Sequence, residues 1–274
     1  MPTVAYQGEP GAFSELAARR FFGKPLRLRP LPTFERVFAS VRNPTYGIVP
    51  VENSVFGSIH QVYDLLLSHR LFIVGEVKLR VRLHLVGVRG SALRTIRTIY
   101  SQPQAIGQCE SFLRTLRRVN VEAYYDTAGA AKMVAGRRDL TCAAIASEEA
   151  GRTYGLSVLR RNIESDHKNF TRFIVLARKA ARITRGAKTT VVFAVKDIPG
   201  ALFKSLAVFA LRDINLLKIE SRPLRGKPWE YLFYLDVDGS PSSGPLRDAV
   251  AHLNEICAFV RILGSYPYGQ TFTD

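Results

Sequence analysis

What most constrains the fold of this chain is an alternation that runs up to Ala177. Short apolar stretches pass, through turns of small or polar residues, into amphipathic stretches of helical period. Thr3–Tyr6 reads as a strand. A helix follows from about Ala12 to Phe22, with Phe13, Leu16, Ala17 and Phe21 on one face and Gly23 as its stop. Thr33 can cap a second helix carrying Phe34, Val37, Phe38 and Val41. Tyr46–Val51 is strand-like, and Ser58 with Gln61 forms a capping-box pattern ahead of Ile59, Val62, Tyr63 and Leu66. Val77, Leu79, Val81, Leu83 and Leu85 then alternate with Lys78, Arg80, Arg82 and His84, the period of a long strand with one wet face. Three more strand–helix units start at Ile99–Tyr100, Glu122–Tyr125 and Cys142–Ala146. Their helices open at Pro103, at Asp126 or Thr127, and near Ser147, and Thr171–Ala177 is a late strand. The pattern predicts mostly parallel sheets covered by helices, an α/β fold.

A basic, weakly apolar segment, Arg178–Lys188, reads as a linker, and the pattern changes after it. Thr189–Val195 is a strand and Pro199–Leu211 a helix, with Leu202, Leu206, Phe209 and Ala210 inward. Asn215–Glu220 and Glu230–Val237 are strands around a turn at Arg225–Pro228. Pro245–Ile256 is a helix and Phe259–Leu263 the last strand. That order is βαββαβ, the split ferredoxin-like unit. GSPSSG at 239–244 reads as a loop within it.

Composition excludes several classes. The 274 residues, 47% hydrophobic and 23% charged, suit two globular units rather than a disordered chain. No apolar run approaches the roughly 18 residues of a membrane span. MPTVAYQGEP has neither the basic start nor the long apolar core of a signal peptide, so the expectation is a cytoplasmic protein. Cys109, Cys142 and Cys257 form no CxxC pair, and the five histidines have no ligand spacing, so no metal is expected. The net charge of +16 raises a nucleic-acid partner, but the basic residues are spread along the chain. A solvated basic surface that draws in anions is the better reading.

Strand-to-helix turns are natural anion sites, because free N–H groups and the helix dipole converge there. GEPGAFS (8–14), ENSVFGS (52–58), SQPQAIGQC (101–109) and DTAGAA (126–131) are such turns. Taken singly, each is only a capped helix. Together they imply a cleft lined with donors, with Gln104 and Gln108 sharing one helix face. Walker, GxGxxG and GxSxG motifs are absent, so nucleotide, dinucleotide and ordinary serine-hydrolase readings lack support.

At this point the chain resembles the prephenate dehydratases. The matching blocks are AYQGEPGAFSELAA (5–18), GIVPVENSVFGSI (47–59), YSQPQAIGQC (100–109), DTAGAAKMV (126–134), AAIASEEAGRTYGL (143–156) and NFTRFIVLAR (169–178). GALFKSL (200–206), INLLKIESRP (214–223) and LGSYP (263–267) resemble the amino-acid-binding ACT domain that follows in that family. Gln102 departs from the family, which often has His after the Ser.

The resemblance implies a two-lobed catalytic region like the periplasmic binding proteins, over 1–178. Its lobes would be 1–79 with 165–178, and 80–164, followed by an ACT domain over 188–266. It implies conversion of prephenate to phenylpyruvate without metal or cofactor. Arogenate, the aminated relative of prephenate, is the alternative substrate, and a binding module without catalysis is the non-enzymatic one. By resemblance, Thr171 donates a hydrogen bond or a proton to the departing hydroxyl, Arg172 binds a carboxylate and Phe173 packs on the ring. Asn53, Ser101, Gln108 and Thr127 donate to substrate oxygens, with Ser54 and Ala128 beside them. Glu52 and Asp126 either orient donors or influence protonation. Phenylalanine would act as allosteric ligand at Gly200, Ala201, Leu202, Asn215, Glu220, Ser221, Arg222 and Pro223, between paired ACT domains. A homodimer or homotetramer is expected, with neither nucleic acid nor membrane as partner.

Overall fold

The computed structural model describes every residue except Lys24, Asn43, Pro44, Arg182, 184–186, Arg225, Pro228, Ser243 and Asp274. Parts of the expected linker, of the Arg225–Pro228 turn and of the 239–244 loop therefore lie outside the described residues.

The chain begins with β1 (Thr3–Gln7), α1 (Phe13–Phe22), β2 (Arg27–Leu31), α2 (Phe34–Ser40), β3 (Thr45–Asn53), the short β4 (Gly57–Ser58), α3 (His60–Ser68) and β5 (Phe72–Arg80). It crosses to a second sheet through β6 (His84–Gly87), β7 (Thr98–Ser101), α4 (Pro103–Gln108), α5 (Glu110–Leu113), β8 (Asn120–Ala123), α6 (Thr127–Arg137), β9 (Cys142–Ala146), α7 (Glu148–Thr153) and β10 (Ser157–Arg160). β11 (Phe170–Ala177) returns to the first sheet. A third sheet follows, from β12 (Ala187–Ala194), α8 (Ala201–Ala210), β13 (Leu216–Pro223), β14 (Tyr231–Asp238), α9 (Gly244–Ile256) and β15 (Phe259–Pro267). β16 (Gln270–Phe272) then rejoins the first sheet.

The first sheet runs β16-β5-β11-β3-β1-β2, the second β10-β6-β9-β7-β8 and the third β13-β14-β12-β15. The third is a βαββαβ unit with every pairing antiparallel. The sheets are more mixed than expected. β1, β2 and β3 are parallel, but β11 runs antiparallel to both its neighbours, and so does β6. A strand that returns from a second lobe inserts in whichever direction it arrives, and β11 arrives reversed.

Three further expectations change. The alternation from Val77 to Leu85 is not one strand. β5 ends at Arg80 and β6 starts at His84, in different sheets, so the period-two pattern runs through the crossover. His84 is buried rather than wet; its Nδ1 accepts the Asn162 amide, and burial lowers its pKa. On α1 Ser14, Glu15, Ala17 and Ala18 are buried and Phe13 and Leu16 pack partly against the same core, while Phe21 at the end of the helix is 37% exposed. The buried face is wider than expected because it takes in Glu15, which accepts hydrogen bonds from Tyr6, the Gly11 amide and Arg19. Ser58 does not cap α3; its hydroxyl donates to Glu220 of β13 instead.

The two lobes meet where α1 begins. An added Cβ on Gly11 would lie 2.6 Å from the Cα of Ala150, so only glycine permits this approach. Ser147, the cap of α7, donates to the Gly11 carbonyl at 2.7 Å and locks the contact. Above it, Val4, Ile48, Val77, Val86, Ala130 and Val175 belong to one core shared by both lobes. Each of the larger aliphatic side chains contributes about 1.5–3 kcal/mol on burial.

Candidate active site

A cavity of about 570 Å³ opens between the two lobes. β3 and β11 supply one wall and the starts of α4 and α6 supply the other. Strand alternation decides which side chains reach it. On β11, Thr171 and Phe173 face the cavity and Arg172 faces away. On β3 a register shift against β11 removes one residue from the alternation, so Pro50 and Asn53, three apart, both face the cavity. Pro50 has no N–H to offer the ladder, and such irregularities are where a strand tolerates it.

Thr171 sits opposite Asn53. The Asn53 Nδ2 donates to Thr171 Oγ1 at 2.9 Å and to Asn169 Oδ1 at 2.8 Å. Its Oδ1 accepts the Val55 and Phe56 amides, both at 3.0 Å. These four contacts fix the orientation of the amide. Thr171 therefore receives a hydrogen bond from the protein, and its own O–H is left to donate into the cavity.

On the far wall, Asp126 caps α6 by accepting the Gly129 amide, and Thr127 starts the helix beside it. Gln104 and Gln108 both line the cavity, as their spacing of four predicts. Gln102 lines it too, where the family often has His.

Several expected residues lie elsewhere. Arg172 does not line the cavity. Its guanidinium, 11% exposed, pairs with Glu76 at 2.6 Å and with Asp236 of β14 at 2.6 Å, and it donates to the Tyr266 hydroxyl at 3.1 Å. Burial works against this charge, but Asp236, Tyr266 and Glu76 outweigh it and raise the pKa well above normal. Glu52 shares that side and pairs with Lys218 of β13 at 2.8 Å. The carboxylate-binding role expected of Arg172 is thus corrected: the protein's own carboxylates occupy its fork. Ser101 is fully buried and donates to the Ile145 carbonyl, Ser54 ties the Lys168–Phe170 turn, and Ala128 is core.

Other cavity residues were not among the expected ones, Phe13, Phe56, His60 and Gln61 included. Phe13 and Phe56 lie inside blocks that carried the resemblance, so position within a block was the available signal. Asn169, which holds Asn53, was legible only as part of NFTRF.

The C-terminal unit has its own cavity, of about 300 Å³. Gly200, in the left-handed region at φ +74°, begins α8 there, with Ala201 and Leu202 beside it. Trp229, Tyr231 and Phe233 form an aromatic wall that no local motif marks. Asn215, Glu220, Ser221, Arg222 and Pro223 are not part of this cavity. Glu220 and Arg222 point at the first sheet's unit, to Ser58 and to Asp64; Asn215, Ser221 and Pro223 are exposed.

A two-lobed α/β body with a cleft of fixed, uncharged donors, followed by a βαββαβ unit, defines the class. Residues 4–181 match the family described as prephenate dehydratase. The chain is 45% identical to "Arogenate dehydratase/prephenate dehydratase 2, chloroplastic" of Arabidopsis thaliana, covering 98% of this chain and 73% of the relative. Among solved structures it is similar to the prephenate dehydratase of Arthrobacter aurescens in complex with L-Phe, at TM-score 0.87 and 31% identity over 97% and 90% of the two chains. It is also similar to a structure titled "GqqA- a novel type of quorum quenching acylases", at TM-score 0.88 and 35% identity over 97% and 98%. The chain belongs to the prephenate dehydratase family. No described helix is long and apolar enough to cross a membrane.

Proposed function

We propose that the chain is a carbon–oxygen lyase that dehydrates and decarboxylates a cyclohexadienol acid. Its substrate is prephenate, giving phenylpyruvate, or arogenate, giving phenylalanine. The observation that carries this reading is the Thr171 hydroxyl, held by Asn53 with its proton free to enter the cavity.

The chemistry asks little of the protein. The bond from the ring to its carboxylate breaks, and its electron pair completes the aromatic ring. The ring hydroxyl takes up one proton, supplied by solvent, and leaves as water, and carbon dioxide departs. Thr171 donates its hydrogen bond to that leaving oxygen. A threonine hydroxyl is too weak an acid to ionise here, so its effect is positional and electrostatic. Gln108 and Thr127 lie across the cavity, where they can donate to the substrate's carboxylates, and Phe173 packs beside the ring. Asn53 positions Thr171.

A serine-hydrolase reading of the cavity would need a hydroxyl beside an imidazole in it. Ser58 and His60 both line it, but each pairs with Glu220, and no hydrogen bond joins them among the described residues. The Ser58 hydroxyl thus has no imidazole to take its proton.

The C-terminal cavity is the proposed phenylalanine site. Its aromatic wall suits a phenyl ring, and the Gly200 turn leaves amides open for a carboxylate. The exposed edge strand β13, with Leu217 and Ile219, is the proposed pairing surface of a dimer or tetramer.

Incubating purified protein with prephenate and with arogenate, and following aromatic product by absorbance and chromatography, tests the catalytic reading. Turnover of neither substrate overturns it. Calorimetry with phenylalanine tests the second site, and absence of binding rejects it.

A further inference from the structure

The cavity between the lobes is unusual in its charges. The chain carries +16 overall, yet no Lys or Arg is among the described residues that line it. Its ionisable side chains are His60 and Asp126. His60 is largely exposed and pairs with Glu220 at 3.3 Å. Asp126 is only 6% exposed. Its Oδ1 accepts the Gly129 amide, while its buried Oδ2 has no hydrogen bond of ordinary geometry. The Glu9 amide is close enough to favour the anion without reaching Oδ2 in such a bond.

No described Lys or Arg pairs with Asp126. Lys132, further along the same helix, pairs with Glu9 at 3.0 Å instead. Burial and the nearby Glu9 charge raise the Asp126 pKa, and the amides at the start of α6 offset only part of that rise. A buried carboxylate without a counter-ion is costly, and a cation brought by a ligand relieves that cost.

Prephenate and arogenate differ at one place. Prephenate has a keto group there and carries two negative charges. Arogenate has an ammonium there and carries one net negative charge. A cavity with an uncompensated carboxylate and no Lys or Arg suits the second. We propose that Asp126 determines specificity by pairing with the ammonium of the substrate, so that arogenate is preferred over prephenate. This inference rests on the dehydratase reading above.

The test measures kcat/KM for both substrates with the full-length wild type, Asp126→Asn and Asp126→Ser. Both replacements remain good helix caps, so α6 keeps its start and a melting curve checks the fold. The wild type should prefer arogenate by about tenfold or more, and both variants should lose about tenfold of that preference, mainly through a higher KM for arogenate. A wild type that prefers prephenate overturns the inference, and so does a preference that survives in folded variants. Turnover of both substrates with an unchanged ratio leaves the dehydratase reading standing and rejects Asp126 alone. Turnover of neither overturns both.

Discussion

The two faces of β11 carry opposite kinds of chemistry. Toward the cleft, Thr171 is held by one neutral amide and Phe173 lies beside it. Behind, one residue away, Arg172 joins Glu76, Lys188 and Asp236 in a buried cluster that ties the first sheet to the third. Thr190 and the Tyr266 hydroxyl complete it, at 2.6 Å from each other. The difference is that buried charge joins the units, while positioned neutral donors face the cleft. A neutral donor fixed in place needs no reorganisation when charge develops on a leaving oxygen, whereas a buried ion pair is costly to break.

The largest expected effect breaks the rear face. Arg172→Met leaves Glu76 and Asp236 to share Lys188 alone, one buried cation for two carboxylates, and should cost about 3–5 kcal/mol in chemical denaturation. A loss below about 1 kcal/mol, the size of an exposed pair, would mean that the cluster does not join the units. The cleft face is next. Thr171→Val is nearly isosteric and should lower kcat by roughly a hundredfold, about 3 kcal/mol, with the melting temperature unchanged. A folded valine variant with full turnover removes this hydroxyl from the mechanism. A smaller effect sharpens the contrast at the seam between the lobes. Ser147→Ala removes the α7 cap and the bond to Gly11, for about 1 kcal/mol of stability. Unchanged denaturation in that variant would show that the seam is held by packing alone.

The gentlest prediction uses pH, because the two faces titrate with opposite sign. Burial raises the Glu76 pKa, but Arg172, Lys188 and the Gly269 amide outweigh it, and the net shift is downward. Its contribution is full above the ordinary carboxylate pKa and is lost as pH falls through the lowered one. Asp126 is shifted upward, so it takes its proton earlier on acidification, and folding gains rather than loses there. Melting temperature against pH should therefore fall less steeply on acidification in Arg172→Met than in wild type. The same slope in both would exclude Glu76 as the titrating group.

Much of this was legible because turn chemistry is local. Ser147 before Glu148, Asp126 before Thr127 and Pro103 at a helix start each mark a boundary within a residue of where it lies. The turns that hold Asn53, Gln108, Asp126 and Thr127 were legible as a donor-lined cleft, whereas Thr171 and the choice of residue within each turn came only through a resemblance spanning several blocks. Long-range facts were not. β2, as Arg27–Leu31 with Pro30 inside, looks like neither a strand nor a core segment, and only pairing with β1 makes it one. That Glu15 joins the buried side of α1 was not legible, because pattern reading assigns a glutamate to solvent. Placing Thr171 and Arg172 together in one site neglects strand alternation, which puts neighbours on opposite faces. The partners Glu76 and Asp236 are far from Arg172 in sequence, and nothing local points to them.

The return of β16 to the edge of β5 has a practical reach. The last strand is bonded to the opening unit, with Gln270 opposite Val77 and Phe272 opposite Leu79, so the βαββαβ unit is held at both ends. Cutting after β11 to isolate the front half also strips a strand from its main sheet and uncovers an edge. Grafting the rear half onto another body severs a seam rather than a tether. The joint between the halves is thus made of backbone pairing as well as side-chain contacts, and whatever separates them has to open a sheet edge first.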